Sequence, residues 1–170
     1  MLSNWEVYWF IMQIREIEAK DNKTIEQIIK RSLESCDLNI PGTAYFDPQL
    51  SNLTQYYNLL PNAKYWVLVN DRDEVVGGVG IGPFGEKKEI CELQKLYIKR
   101  EYQGFGLSKK LMEEALNFAK EHYTYCYIET MNQLQTANQL YIKFNFKQLT
   151  NPLEGSEHNA MDTWFIKELS

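Results

Sequence analysis

Apolar side chains recur along this chain at two spacings, and the spacings alternate. Every third or fourth residue puts them on one face of a helix, and every second residue puts them on one face of a strand. Residues 23–34 follow the first rule, with Ile25, Ile28, Ile29 and Leu33 on one side. A second helical stretch opens at Asp47-Pro48, an N-cap residue followed by a proline that suits the first helical position, and carries Leu50, Leu53, Tyr56 and Tyr57 on its apolar side. Residues 65–69 and 75–81 predict a hairpin around the polar turn 70–74. Residues 84–89 read as a charged surface loop and 90–98 as the strand after it. Leu107, Leu111, Ala115 and Phe118 then share a helical face. Beyond them the pattern predicts a strand at 123–130, a helix at 134–144, a short strand at 146–149, a polar loop at 151–161 and a closing strand at 162–166.

Composition narrows the class. At 170 residues the chain has length for one domain with its own core, and 44% hydrophobic and 14% aromatic residues belong to a folded protein. A formal net charge of −5 argues against a general nucleic-acid or anionic-membrane binder. Cys36, Cys91 and Cys126 are odd in number and widely spaced, with only His122 and His158 to join them, so they read as core or surface thiols in a reducing compartment and not as metal ligands. No apolar run has the length of a membrane span, and no basic segment followed by an apolar core marks a secretory signal. The expectation is a cytoplasmic protein without a metal.

The candidate chemistry lies in residues 92–118, ELQKLYIKREYQGFGLSKKLMEEALNF. Between the strand Leu93-Gln94-Lys95-Leu96-Tyr97-Ile98 and the helix stands Gln103-Gly104-Phe105-Gly106, a glycine turn opening directly into the helix. Glycines let a ligand approach the backbone, and the unpaired N–H groups and positive dipole end of the first helical turn favour an anion there, commonly a diphosphate. A P-loop would need Lys-Ser/Thr after the last glycine, whereas Gly106 is followed by Leu107-Ser108-Lys109. A dinucleotide-binding fold would need a third glycine, which is missing, although Glu129 ends the next strand with an acid.

What remains is the pattern Gln/Arg-x-x-Gly-x-Gly/Ala, and here the chain resembles the GNAT superfamily of acyl-CoA-dependent N-acyltransferases. Ser108 stands where the pattern has Gly or Ala; it is small and carries a hydroxyl that can donate to a phosphate. Downstream, Ala137-Asn138-Gln139-Leu140-Tyr141-Ile142-Lys143-Phe144-Asn145-Phe146 resembles the second GNAT signature, A-x-x-L-Y-x-x-x-G-F, with Asn145 for glycine. Asparagine tolerates the left-handed conformation a helix C-terminus calls for. The resemblance runs from about residue 12 to 169 and is clearest from Tyr65 onward.

The resemblance implies an α/β (α+β) fold: a central mixed, mostly antiparallel sheet of about seven strands flanked by about four helices, splayed between the fourth and fifth strands. Residues 12–170 would form a single N-acetyltransferase domain, its first strand starting near Met12-Gln13-Ile14-Arg15. The aromatic-rich residues 1–11 read as an N-terminal extension, a longer first strand or an interface segment. The implied activity is transfer of acetyl from acetyl-CoA to a primary amine, on a small molecule or a protein, by direct attack and without a covalent enzyme intermediate; Cys126 is no nucleophile in this scheme. No nucleic acid or membrane partner is implied, and a homodimer is left open. Leu96, Tyr97, Ile98, Gln103, Gly104, Phe105, Gly106, Leu107, Ser108 and Asn138 would bind acetyl-CoA, with the backbone N–H of Leu96 or Tyr97 polarising the acetyl carbonyl. The asparagine that often precedes the Ala-x-x-Leu-Tyr segment is replaced by Leu134, leaving Asn132 or Asn138 as substitutes. Glu92 matches the family's base and Tyr141 its acid at the thiolate; the plainer readings are a strand-end glutamate in a surface ion pair and a packing tyrosine. Tyr45, Phe46, Tyr56 and Tyr57 are candidates for an acceptor pocket. Competing classes are an acyl-CoA-binding domain without transfer chemistry and a nicotinamide oxidoreductase, the latter disfavoured by the hairpin at 69–75.

Overall fold

The computed structural model describes residues 1–170, apart from the side chains of Asn4 and Trp5. Seven strands form one sheet in the order β1-β2-β3-β4-β5-β7-β6. They are β1 (Gln13–Glu16), β2 (Lys64–Val69), β3 (Val75–Phe84), β4 (Lys87–Ile98), β5 (Tyr125–Thr130), β6 (Lys147–Leu149) and β7 (Thr163–Glu168). The helices are α1 (Asn4–Ile11), α2 (Asn22–Ser35), α3 (Leu53–Leu59), α4 (Leu107–His122) and α5 (Gln135–Lys143). Only β4 and β5 pair in parallel, and every other neighbour pair is antiparallel. This is the expected mixed sheet, with five α-helices where about four were expected.

The central strands are buried on both faces, so β2 is apolar from Tyr65 to Val69 rather than alternating. Tyr65, Val67 and Val69 point to a layer formed by Ile25, Ile28, Ile29 and Leu33 of α2 with Leu53 and Tyr57 of α3. Trp66 and Leu68 point to the other layer, which holds Leu107, Leu111, Met112, Ala115, Leu116 and Ala119 of α4 and Tyr141 of α5. Helices α2 and α4 therefore bury the stripes their sequence period marks out.

Three stretches depart from the sequence pattern. Residues 1–11 contain the helix α1, not a longer strand: the Glu6 carboxylate accepts the Ser3 N–H at 2.8 Å and the Ser3 hydroxyl at 2.7 Å, which favours a helix start. The stretch after Asp47-Pro48 begins as a 3-10 turn, Pro48–Asn52, and becomes α-helical only at Leu53. Asp47 does not cap it with its side chain. Residues 84–87 form a tight turn with Gly85 at φ +57°, so β4 starts at Lys87 instead of after a surface loop.

The parallel pairing of β4 with β5 is brief: Ile90, Cys91 and Glu92 face Tyr125, Cys126 and Tyr127. Beyond it β4 stays with β3 as far as Ile98, while β5 stays with β7 as far as Thr130. The fourth and fifth strands thus part as expected, and a wedge with unpaired strand edges opens after Glu92. Among the described residues no helix is long and apolar enough to cross a membrane.

Candidate active site

The wedge is shaped by a bulge in β4. Gly80 pairs with Gln94 and Gly78 with Tyr97, so Val79 alone faces both Lys95 and Leu96. Lys95 takes φ +51° to make this fit, and the Tyr65 hydroxyl holds its carbonyl at 2.8 Å. The extra residue changes which side chains share a face. Cys91 and Leu93 point to the α4 layer before the bulge, and Leu96 and Ile98 do so after it. Glu92, Gln94, Lys95 and Tyr97 are left together on the opposite face, under α2, α3 and the loop 151–161. The β3 glycines leave space there: a Cβ on Gly80 would lie 2.5 Å from the Tyr57 hydroxyl, and one on Gly78 2.5 Å from the Tyr65 ring.

Glu92 sits at the last paired step, where the wedge begins. Its Oε1 accepts the Gln94 amide at 2.6 Å, and the Gln94 carbonyl accepts the Tyr57 hydroxyl at 2.7 Å. Burial pushes the Glu92 carboxyl up to about 7; the Gln94 hydrogen bond opposes this, the Glu129 charge adds to it, and His158 and Lys95 pull it down. Glu129, on β5, accepts the Tyr127 hydroxyl at 3.1 Å and the Ser156 hydroxyl. Asp47 accepts Lys95 Nζ at 2.7 Å and lies 2.9 Å from His158 Nε2. Burial works to raise the Asp47 pKa, but His158 and Lys95 outweigh it and leave the carboxylate below its ordinary value. This polar set at Gln94, Lys95, Asp47, His158 and Ser156 is not legible as a site in the sequence; the one local signal is the three-residue step from Leu93 to Leu96, which breaks the alternation of the strand.

Tyr141 lies in the opposite layer, its ring 5.8 Å from Phe165 and 6.2 Å from Phe146. Burial first, and then the neighbouring Cys126 thiol, push its hydroxyl up to about 12. That hydroxyl finds no hydrogen-bond partner among the described residues. Tyr97 is near enough that the Tyr141 charge would raise it further, after burial. Glu92 and Tyr141 therefore approach the wedge from the two faces of the sheet.

The glycine turn has the left-handed backbone its sequence demands. Gly104 has φ +86° and Gly106 φ +75°, and a Cβ on either would meet nothing within 4 Å, so conformation and not crowding requires glycine. Gly106 is the N-cap of α4, leaving the N–H groups of Leu107, Ser108 and Lys109 without acceptors among the described residues. Gln103 spends its side chain inside the turn, donating to the Ile98 carbonyl at 2.9 Å. Leu107 is buried, and Leu96 and Ile98 pack into the same layer, so these three offer only backbone to a ligand. Phe105 packs on Tyr8 of α1, with ring centroids 4.6 Å apart. Asn138 donates to the Met131 carbonyl at 3.0 Å, and its Oδ1 is buried without a partner. A buried amide oxygen lacking a donor is costly unless a ligand supplies one. Open helix amides, an unpaired strand edge and this oxygen together fit an extended ligand with amide N–H groups and a diphosphate.

Of the aromatic acceptor candidates, Tyr57 and Tyr56 adjoin the Glu92 network. Burial raises the Tyr56 hydroxyl, and the charges of Glu157, Glu92 and Asp47 raise it further. Tyr45 turns away and donates to Glu34 at 2.7 Å, and Phe46 is exposed. Asn132 offers its backbone N–H to Asp162 at 2.8 Å. Cys126 is fully buried opposite Cys91, and burial drives its thiol well above the ordinary value. Among the described residues no group of three or more His, Cys, Asp or Glu could hold a metal ion.

The profile of the acetyltransferase (GNAT) family matches residues 25–146. An N-acetyltransferase from Escherichia coli K12, YjgM, itself uncharacterised, is 35% identical over 159 residues, 92% of this chain and 94% of that one. A GNAT-family acetyltransferase from Staphylococcus aureus superposes with a TM-score of 0.79 at 19% identity, covering 94% of this chain and 99% of that one. The acetyltransferase yncA from Salmonella typhimurium, solved with its cofactor acetyl-CoA, superposes with a TM-score of 0.73 at 18% identity, covering 94% and 95%.

Proposed function

This chain belongs to the acetyltransferase (GNAT) family, and from that premise we propose that it transfers an acetyl group from acetyl-CoA to a primary amine by direct attack within a ternary complex. The observation that carries this reading is the place of Glu92: a half-buried carboxyl at the mouth of the wedge, pushed up to about 7. A primary amine with an ordinary pKa of about 10 is protonated near neutrality and must lose a proton before it attacks. A carboxylate tuned near the working pH is the more effective base for that step, directly or through a water.

Acetyl-CoA, when bound, supplies an acyl carbonyl already activated by a thiolate leaving group. The amides of Leu107, Ser108 and Lys109 and the turn at Gly104 and Gly106 would hold its diphosphate. The free edge of β4 from Leu96 to Ile98 and Asn138 Oδ1 would take the amides of its pantetheine arm. A backbone N–H at the β4 bulge, that of Leu96 or Tyr97, would meet the acyl oxygen and stabilise developing negative charge. Tyr141, its hydroxyl uncommitted and kept protonated by burial, would donate the proton to the departing thiolate.

The test is thiol release from acetyl-CoA across a panel of primary amines, run beside thermal unfolding. Acetyl-CoA should raise the melting temperature by mass action. Gly106→Val, which places a β-branched residue where φ is +75°, should remove that shift while the protein still folds. A shift without thiol release for any amine would mark a binding domain. The absence of any shift at millimolar acetyl-CoA would overturn the reading altogether.

A further inference from the structure

Three segments far apart in the sequence converge on the carboxylate of Asp47. Its Oδ2 accepts Lys95 Nζ at 2.7 Å, and its two oxygens lie 2.9 and 3.1 Å from His158 Nε2. Lys95 is the residue whose positive φ makes the β4 bulge, and its side chain is only 4% exposed. A lysine so deeply placed needs a carboxylate, and Asp47 meets that need instead of capping the turn that follows it. His158 belongs to the loop 151–161, which makes three more ties, two of them to the Glu92 face. Ser156 donates to Glu129, the Leu153 N–H to the Tyr127 hydroxyl at 3.1 Å, and the Ala160 N–H to the Gly42 carbonyl at 3.2 Å. The last of these joins the loop to the segment 42–47 that carries Asp47.

We propose that His158 is a positioning residue, forming with Asp47 and Lys95 a charged clasp that holds the loop 151–161 over Glu92 and sets how tightly the amine acceptor is held. This rests on the acyl-transfer reading above. A single carboxylate shared by two cations couples the bulge in β4 to both loops, so a change at His158 reaches the wall around Glu92 without touching the glycine turn. A charge-assisted hydrogen bond is about twice as strong as a neutral one, so the clasp is tightest with His158 protonated. The groups facing His158 are Asp47, Lys95 from the bulge, and Glu92. The Asp47 hydrogen bond does most to raise the His158 pKa, with Glu92 helping, while burial and Lys95 oppose. The charged clasp is therefore present below that raised pKa and weakens as pH climbs through it. In acid it fails only as pH drops through the lowered pKa of Asp47.

Hydrogen exchange at the Ala160 amide reads the clasp directly, since that N–H bridges the two segments. At pH 6, His158→Ala should exchange there about tenfold or more faster than wild type, the loss expected for one charge-assisted bond. Corrected for intrinsic rates, wild-type protection should fall as pH rises from 6 through the raised pKa of His158. His158→Gln, which can donate to Asp47 but cannot titrate, should keep the same protection throughout. With an amine found active in the thiol assay, His158→Ala should raise the acceptor KM about tenfold and leave the acetyl-CoA KM within about twofold. Equal Ala160 protection in wild type and His158→Ala, or a matching rise in the acetyl-CoA KM, would overturn the proposal. The exchange measurement needs no acceptor, so failure of every amine would count against the acyl-transfer reading and leave the clasp to be judged on exchange alone.

Discussion

Gln94 gives its amide hydrogen to Glu92 at 2.6 Å while its own carbonyl is held by the Tyr57 hydroxyl at 2.7 Å. The three side chains come from β4 and α3, so the orientation of the Glu92 carboxyl depends on how helix and sheet pack. Gln94 also favours the ionised carboxylate, in opposition to burial. Gln94→Leu should therefore move the acid limb of kcat/KM for an amine acceptor to higher pH, with acetyl-CoA binding unchanged. A pH–rate profile of the variant beside wild type checks this, and an acid limb that stays in place would separate Gln94 from the base.

Glu92 should also leave a mark on stability. Its folded pKa is raised, to about 7 from an ordinary 4.5, so the folded state binds more protons than the unfolded state between those values. Stability from this group is full below about 4.5 and is lost as pH rises through 7. Glu92→Gln keeps the shape and removes the buried charge. It should be neutral at pH 4 and stabilise the protein at pH 8 by on the order of 2 kcal/mol. Urea unfolding at the two pH values measures the difference. Turnover should fall most at neutral pH and recover in part as the amine loses its proton unaided.

The elements of this fold are legible because burial on both sheet faces leaves long apolar strands, and α2 and α4 carry clean stripes. The glycine turn and Asn145 are legible for a related reason: only a few residues adopt the left-handed backbone, and Asn145 has φ +67°. The bulge was within reach, since Leu93 and Leu96 both enter the α4 layer although three residues apart. Helix α1 is within reach too, through Ser3 and Glu6, but the aromatic-rich residues 1–11 fit an extension, a strand or an interface segment equally well. The clasp was not. Asp47 and His158 are 111 residues apart, and an aspartate before a proline looks like a cap until Lys95 and His158 claim it.

Helix α1 is joined to α4 through Lys110, whose Nζ donates to the Trp9 carbonyl at 3.0 Å and the Met12 carbonyl at 2.7 Å. The same ammonium lies 5.2 Å from the centre of the Trp9 ring. Cations favour a helix C-terminus, where carbonyls are unpaired, so this contact seats α1 beside the glycine turn. Lys110→Met keeps the apolar stem and removes the donors, at a cost of about 1 kcal/mol. That cost should appear locally. The Met12 amide, bonded to the Tyr8 carbonyl at 2.9 Å, should exchange faster, while core amides in β2 and β3 keep their protection. Uniform loss of protection would mean that α1 is integral to the core.

Tyr141 allows the sharpest separation of packing from chemistry. Its ring lies among Phe146 and Phe165, but its hydroxyl is committed to no acceptor among the described residues. Tyr141→Phe keeps the ring and leaves no buried partner unsatisfied, so the melting temperature and the acetyl-CoA-induced shift should hold within error. Turnover should fall by about tenfold to a thousandfold if this hydroxyl protonates the thiolate. Burial keeps the group protonated up to about 12, so wild type should show no alkaline loss from it in the usual assay range. The defect should also shrink for a thioester with a more acidic thiol, because a better leaving group needs less help from an acid. Rates with two such thioesters, for wild type and Tyr141→Phe, decide the matter. An equal defect on both would make Tyr141 a residue that positions the sulfur, and no defect on either would leave it a packing residue, with water as the proton donor.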